Sequence, residues 1–266
     1  MSFPLPTGLS PSKVSSFKDC ALAFRFNAID KLPEPPSPWT TKGTLVHRAL
    51  ELLFYDHPIG ARTPEAAMVC LDRAWVECQA DPEFTVLALD DDGRAAFRAD
   101  AEVLVRNYFM LEDPNAVRAV GMELRLEAKV GTLSLRGIID RLEIDDDGEL
   151  VVTDYKTGKA PRQQNEGSRL GGVQFYAFLC EQVLGRRPAR VQLLHLREPV
   201  AIVNVPTEQS IRGLQTRTSA IWNAVSVACE REDFRPKTGP LCNFCAYKPY
   251  CPAFGGDPTL ARAAAN

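Results

Sequence analysis

The chain lacks the features that mark membrane and secreted proteins. Among its 266 residues, no apolar run is long enough to span a bilayer. The first residues, MSFPLPTGLSPSK, contain no apolar core of a signal peptide. The sequence therefore predicts a cytoplasmic protein with no membrane partner.

An excess of positive charge is also missing. The formal net charge is −3 and the sequence pI is about 5.7, so nucleic-acid binding would have to use a local basic patch. The phosphate-binding loop of helicases, G-x-x-x-x-G-K-[ST], does not occur either. Any processive unwinding of a duplex therefore requires a separate helicase partner.

The hydrophobic periodicity predicts helices first and strands later. Helices are expected at about 10–26, 43–55, 63–79, 93–112, 171–184 and 207–230, and strands at 119–129, 133–144, 149–155, 190–196 and 200–205. A proline-rich connector at 32–38 cannot be helical, and a polar loop is expected at 158–169. This order predicts an α/β fold in which helices cover a central mixed sheet, within one domain over residues 1–266.

The most informative segment is a predicted hairpin that carries two carboxylates and a lysine. Asp140 lies in the first strand, Asp154 lies near the end of the second, and an acidic turn at 145–148 contains a glycine. Strand alternation places Asp154 and Lys156 on one face. Such a hairpin could be an ordinary acidic surface, but Asp140 follows the apolar residues Ile138 and Ile139, and a buried carboxylate needs a partner or a metal.

This set of side chains suits a divalent cation and a phosphate. Mg²⁺ takes oxygen ligands, and Mn²⁺ also accepts imidazole nitrogen, so His47 and Glu123 are candidate additions. The metal would lower the pKa of a bound water, and Lys156 would orient that water or neutralise developing negative charge.

The motifs resemble those of RecB-type nucleases in the PD-(D/E)xK superfamily. Gly137 to Arg141 is similar to the family's G-x-x-D-R, and Asp154 to Gly158 reads D-Y-K-T-G. Upstream, Gly43 to His47 matches G-x-x-x-H, and downstream Gln174 to Tyr176 matches Q-x-Y. The resemblance implies a restriction-endonuclease-like core at 119–205, N-terminal helices at 10–60 that carry Cys20 and His47, and a cysteine tail at 234–256.

The resemblance also implies a role for each matched residue. The metal ligands would be His47, Asp140, Asp154 and the backbone carbonyl of Tyr155, and Lys156 would be the catalytic lysine. Glu123 matches the acidic residue of the preceding strand. Gln174 and Tyr176 would face DNA or support the site. Residues two apart on a helix lie on different faces, which favours Gln174 over Tyr176.

The eight cysteines fall into two groups. Cys70, Cys78, Cys180 and Cys229 lie in predicted helices with apolar neighbours, which predicts core positions. In contrast, Cys242, Cys245 and Cys251 form C-x₂-C-x₅-C in an irregular tail, which indicates a metal site. No histidine follows His195, so Cys20 is the best fourth ligand. The spacing alone allows zinc or an iron–sulfur cluster.

The cysteine layout resembles that of AddB-type and CRISPR-adaptation nucleases. In those proteins one N-terminal and three C-terminal cysteines hold a [4Fe–4S] cluster. The resemblance therefore implies an iron–sulfur clasp made by Cys20, Cys242, Cys245 and Cys251, with Zn²⁺ as the alternative.

Three functional hypotheses follow from the sequence. The first is a metal-dependent DNA nuclease, an exonuclease acting on single strands or DNA ends in repair or recombination. The second is a non-catalytic DNA-binding subunit of a helicase–nuclease or CRISPR-adaptation complex. The third is a zinc-clasped scaffold protein. The presence of His47, Asp140, Asp154 and Lys156 together favours the first.

Overall fold

The computed structural model describes residues 2–160 and 166–261. The α-helices are α1 (Pro11–Asp19), α2 (Ala21–Phe24), α3 (Pro38–Asp56), α4 (Pro64–Ala80), α5 (Pro82–Val86), α6 (Asp91–Tyr108), α7 (Glu166–Leu184) and α8 (Glu208–Arg231). The strands are β1 (Ala119–Val130), β2 (Leu133–Ile144), β3 (Leu150–Lys156), β4 (Arg190–His195) and β5 (Val200–Asn204). Among the described residues, no helix is long and apolar enough to cross a bilayer.

The five strands form one mixed sheet in the order β1-β2-β3-β4-β5. The pairs β2–β3 and β4–β5 are antiparallel, whereas β3 and β4 are parallel and are joined through α7. The predicted α/β fold with a central mixed sheet is confirmed.

The chain divides into two compact units. The first comprises Met1–Pro35, Glu127–Gly137 and Gln209–Asn266, and the second comprises Pro36–Leu126 and Ile138–Glu208. A single domain over residues 1–266 therefore stays a prediction. In the second unit, α3, α4 and α6 pack their apolar faces together with Tyr155 and Leu194 of the sheet.

Helix α3 begins earlier than the sequence pattern predicts. The prediction placed its start at Gly43 and assigned Pro38 to a non-helical connector, but the helix starts at Pro38. The hydroxyl of Ser37 accepts a hydrogen bond from the Thr40 N–H, and the Thr40 hydroxyl accepts one from the Ser37 N–H. A proline is tolerated in the first turn because its missing N–H has no helical partner there. The prediction was wrong because it treated every proline of the connector as a helix breaker.

The predicted N-terminal helix is interrupted at Cys20. This residue is extended, with φ −160° and ψ 112°, and separates α1 from α2. A π-helical turn, Arg25–Ile29, follows α2. The single helix predicted over 10–26 is therefore wrong at the residue that the sequence analysis proposed as a metal ligand.

Two further boundaries differ from the predictions. The predicted helix at 93–112 begins earlier, at Asp91, because Asp90 accepts a hydrogen bond from the Gly93 N–H and caps α6. The predicted polar loop at 158–169 is shorter, since α7 begins at Glu166; its residues 161–165 lie outside the described part of the chain.

Candidate active site

The β2–β3 register brings the two carboxylates of the hairpin together. Arg141 pairs with Thr153 across the strands, so Asp140 and Asp154 are opposite each other one position further along. Both carboxylates are buried, with 7% of Asp140 and 2% of Asp154 exposed. The Tyr155 N–H donates a hydrogen bond of 2.7 Å to Oδ2 of Asp140, which holds that carboxylate against β3.

His47 reaches this pair from helix α3. Its Nδ1 lies 3.5 Å from Oδ2 of Asp140 and 3.8 Å from Oε1 of Glu123, and its Nε2 lies 3.1 Å from the Tyr155 carbonyl oxygen. Ligand atoms of His47, Glu123 and Asp140 all lie within 4.8 Å of one another. The helix, β1 and the hairpin thus each supply one potential metal ligand.

Gly43 allows α3 to approach the end of β3. A Cβ atom at this position would lie 3.2 Å from Oγ1 of Thr157, which is tighter than ordinary contact. His47 lies one helical turn beyond Gly43 on the same ridge. This close approach gives a physical reason for glycine four residues before the histidine.

Glu123 enters the site through an unusual backbone conformation. Its φ is +46°, in the left-handed region that a non-glycine residue rarely adopts within a strand. Such conformations persist where the surrounding structure imposes them, and they cluster at functional sites. Strand alternation alone did not indicate that Glu123 contacts His47.

Lys156 and Tyr176 both engage Asp154. The Lys156 ammonium pairs with Oδ2 of Asp154, on the face that strand alternation predicts. The Tyr176 hydroxyl on α7 hydrogen-bonds the same carboxylate, and burial together with the Asp154 charge raises the pKa of that hydroxyl. Gln174 is half-buried on the same helix. Tyr176, which the sequence argument ranked below Gln174, contacts the Asp154 carboxylate.

The site concentrates negative charge that a cation would neutralise. Burial, and then the charge of Asp154, raise the pKa of Asp140 to about 7. Burial acts to lower the pKa of His47, but hydrogen bonding to Glu123 and the charges of Asp140 and Asp154 outweigh it, so that pKa is raised. Buried carboxylates that are this close cannot all ionise without a counter-charge. The donor set of imidazole and carboxylate oxygen therefore fits a divalent metal such as Mn²⁺ or Mg²⁺.

A buried arginine lies on the opposite face of the same hairpin. Arg141 has no exposed surface, and it contacts Glu112 through both terminal nitrogens. It also donates to the Tyr155 hydroxyl at 2.9 Å and to Thr153 Oγ1 at 3.0 Å, and it pairs with Glu143 at 2.9 Å. Since its partners lie on β2, β3 and the segment after α6, this network locks the register that brings Asp140 to Asp154.

The role of this network is not apparent from the sequence. The available signal was a charged residue in an apolar strand, one position past Asp140 and therefore on the other face. Its main partner, Glu112, lies 29 residues away in the chain, and no local pattern connects the two.

The family model of the PD-(D/E)XK nuclease superfamily matches residues 8–252. The chain belongs to this superfamily. A crystal structure titled "Putative exonuclease", from Eubacterium rectale, is 12% identical and has a TM-score of 0.54, over 91% of this chain and 88% of that one. This likeness shows the shared fold.

Two further solved structures resemble the nuclease more weakly. The protein SSO0001 is 15% identical with a TM-score of 0.37, over 80% of this chain and 84% of that one. The protein VC1899 from Vibrio cholerae is 10% identical with a TM-score of 0.26, over 84% of this chain and 59% of that one. No curated protein matches the chain.

Four cysteines of the nuclease line one cavity in the first unit. The cavity has a volume of about 670 Å³, and its lining includes Cys20, Cys242, Cys245 and Cys251; we refer to it as the cysteine pocket. Burial raises the pKa of the Cys245 thiol, and the other three thiols raise it further. No three cysteines in the described ranges have sulfurs that all lie within 4.8 Å of one another.

The cysteine pocket lies where the N-terminal and C-terminal segments of the first unit meet. The Lys237 N–H donates to the Cys20 sulfur at 3.4 Å, and the Asn27 amide donates to the Tyr247 hydroxyl at 3.2 Å. A Cβ at Gly256 would lie 2.3 Å from the Pro249 carbonyl oxygen, so the tail folds on itself around a glycine. These contacts bring the two ends of the chain together at the pocket.

The remaining cysteines are distributed largely as predicted. Cys70, Cys180 and Cys229 are at most 2% exposed, which confirms them as core residues. Cys78 is only partly buried.

Proposed function

We propose that this protein is a metal-dependent DNA exonuclease of the RecB type, acting on single strands or DNA ends in repair or recombination. The observation that carries the proposal is the convergence of His47, Glu123 and Asp140 beside the Asp154–Lys156 pair. Both halves of the site lie in the second unit.

The residues that would hold Mg²⁺ or Mn²⁺ are His47, Asp140, Asp154 and the Tyr155 carbonyl, with Glu123 as a further ligand. The His47 ring lies between two sets of potential donors, since its Nδ1 faces the carboxylates of Asp140 and Glu123 and its Nε2 lies 3.1 Å from the Tyr155 carbonyl oxygen. When bound, the metal would lower the pKa of a water and polarise the scissile phosphate.

The protein groups around the metal site have separate tasks. Lys156 is partly exposed, so its ammonium can reach a substrate phosphate while Asp154 orients it. Tyr176 holds the Asp154 carboxylate from the side of α7. Arg141 acts through the β-strand register and contacts no part of the site that faces substrate.

The proposed activity is tested with end-labelled single-stranded and double-stranded DNA in Mn²⁺ or Mg²⁺. We expect metal-dependent release of short products from the labelled end of single strands, and no cleavage in EDTA. A protein that binds this DNA and never cuts it would favour the non-catalytic subunit. If internal cuts accumulated before any product from the labelled end, the activity would be that of an endonuclease and not of an exonuclease.

We also propose that Cys20, Cys242, Cys245 and Cys251 hold a [4Fe–4S] cluster. The four cysteines line one cavity of the first unit, and this shared cavity supports the proposal. Four cysteines are also the ligand set of many structural zinc sites, so the bound metal has to be identified by experiment.

Cys20→Ser should therefore remove the cluster. We expect wild-type protein purified without oxygen to be brown and to contain about four iron atoms per chain, and we expect the variant to lose both properties. Cys78→Ser is the matched control, since Cys78 lies outside the pocket. Stoichiometric zinc in the wild type, with no iron, would contradict the assignment.

A further inference from the structure

Trp39 is an aromatic side chain that the structure leaves exposed near the candidate active site. It lies in the first turn of α3, and 70% of it is exposed. The tryptophan of α4 behaves differently, because Trp75 packs against Phe84 and Phe97. Trp39 is therefore exposed because of where it lies on α3, and its ring is free to contact a ligand.

Two cations lie close to the Trp39 ring. Lys42 Nζ is 5.2 Å and Arg197 Cζ is 5.8 Å from the ring centroid. Both cations pair with Asp100, so the group carries one net positive charge. An exposed aromatic ring beside cations is how proteins hold single-stranded nucleic acid, since bases stack on the ring and phosphates meet the positive charge.

Trp39 is connected through Arg197 to the residue that follows β3. Arg197 Nε donates to the carbonyl oxygen of Thr157, the residue after Lys156, at 3.4 Å. Trp39, Gly43 and His47 are spaced four residues apart and form one ridge of α3. Eight residues of helix place Trp39 about 12 Å from His47 along the axis, which equals roughly three to four stacked nucleotides.

We propose that Trp39 stacks on an unpaired base of the substrate strand, three to four nucleotides from the scissile phosphate. This inference rests on the proposed nuclease function and adds a subsite that selects single-stranded DNA. Lys42 is buried and holds the ring in place, whereas Arg197 is partly exposed and provides positive charge for the adjoining phosphates. A duplex keeps its bases stacked on one another and offers none to Trp39.

The test measures binding in a Lys156→Ala background, so that cleavage does not consume the probe. The probe is a short fluorescein-labelled oligodeoxythymidylate in Mn²⁺. We expect Trp39→Ala and Trp39→Leu to weaken binding by about 5- to 150-fold, whereas Trp39→Phe should retain most of the affinity. Tyr55→Ala is the matched control, because Tyr55 is 64% exposed at the other end of the same helix.

Abasic oligonucleotides locate the stacked base. One abasic position three to four nucleotides from the cleaved bond should weaken binding by the parent and leave Trp39→Ala unaffected. Equal binding by the parent and Trp39→Ala would overturn the subsite. The subsite would also be overturned if an abasic position weakened binding equally wherever it was placed. The same conclusion would follow if Trp39→Ala weakened binding to blunt duplex as much as binding to single strands.

Failure of this subsite can be separated from failure of the nuclease. If the wild type cleaves single strands and Trp39→Ala cleaves them equally at limiting substrate, the subsite is wrong and the nuclease stands. If the oligonucleotide quenches Trp39 fluorescence and no cleavage occurs in any metal, the nuclease is wrong and the stacking contact stands.

Discussion

Lys156→Ala should cleave DNA about 10²- to 10³-fold more slowly than the wild type, because one preorganised donor at a reacting centre contributes about 10²–10³ to the rate. Its ammonium is held against Asp154 and remains partly exposed toward solvent. DNA binding should be largely intact, since the substitution leaves the proposed stacking residue Trp39 in place. Single-turnover cleavage and fluorescence anisotropy measure the two effects separately.

Lys159→Ala is the matched control for this substitution. Lys159 is exposed and lies three residues further along the chain, so its loss removes the same charge near the site but no contact to Asp154. We expect less than about a tenfold change in the cleavage rate, the size of a phosphate contact. If Lys156→Ala cleaved DNA at a rate within that same range, the lysine would have no part in the mechanism.

Asp154→Ala should be equally inactive and should in addition bind Mn²⁺ more weakly.

Arg141→Met should destabilise the protein by about 3–5 kcal/mol, the cost of removing one partner from a buried ion pair. The substitution leaves Glu112 and Glu143 without the charge of Arg141, and it removes a donor from the hydroxyls of Tyr108 and Tyr155. Thr153 Oγ1 keeps its second donor, Gln192 Nε2. Urea unfolding followed by circular dichroism measures the free energy of unfolding.

Two companions make this prediction specific. Arg106→Met removes an exposed pair with Glu102 on α6 and should cost less than about 1 kcal/mol. Adding Glu112→Leu and Glu143→Gln to Arg141→Met should restore part of the lost stability, because no unpaired buried charge then remains. A loss for Arg141→Met no larger than that of Arg106→Met would show that the network does not hold the strands.

The hairpin was predictable because its information is local. Asp140, Asp154 and Lys156 lie on the two strands of one hairpin. The alternation of side chains along each strand determines the face of the sheet on which each residue lies. The G-x-x-x-H spacing of α3 added His47, although the reason for the glycine appeared only with the Thr157 contact. The mixed sheet followed from the order of helices and strands.

Other features depend on contacts that the sequence does not display. Glu123 faces His47 because of one left-handed residue within a strand, and alternation rules assume that no such residue occurs. The helix break at Cys20 opposes the local helical pattern on both sides. The role of Arg141 required Glu112, which approaches only after α6 packs beside the sheet.

The division of the chain into two units determines which unit can be completed first during protein synthesis. Leu9 pairs with Leu135, and Phe3 packs edge-on against Phe234, so the first unit cannot be completed until the last part of the chain has been synthesised. At ribosomal rates the stretch between residues 135 and 234 alone takes about 5 to 20 s. Every side chain of the candidate active site is translated before residue 177, whereas three of the four pocket cysteines emerge after residue 241. A nascent chain can therefore contain every residue of the candidate active site while its cysteine pocket does not yet exist.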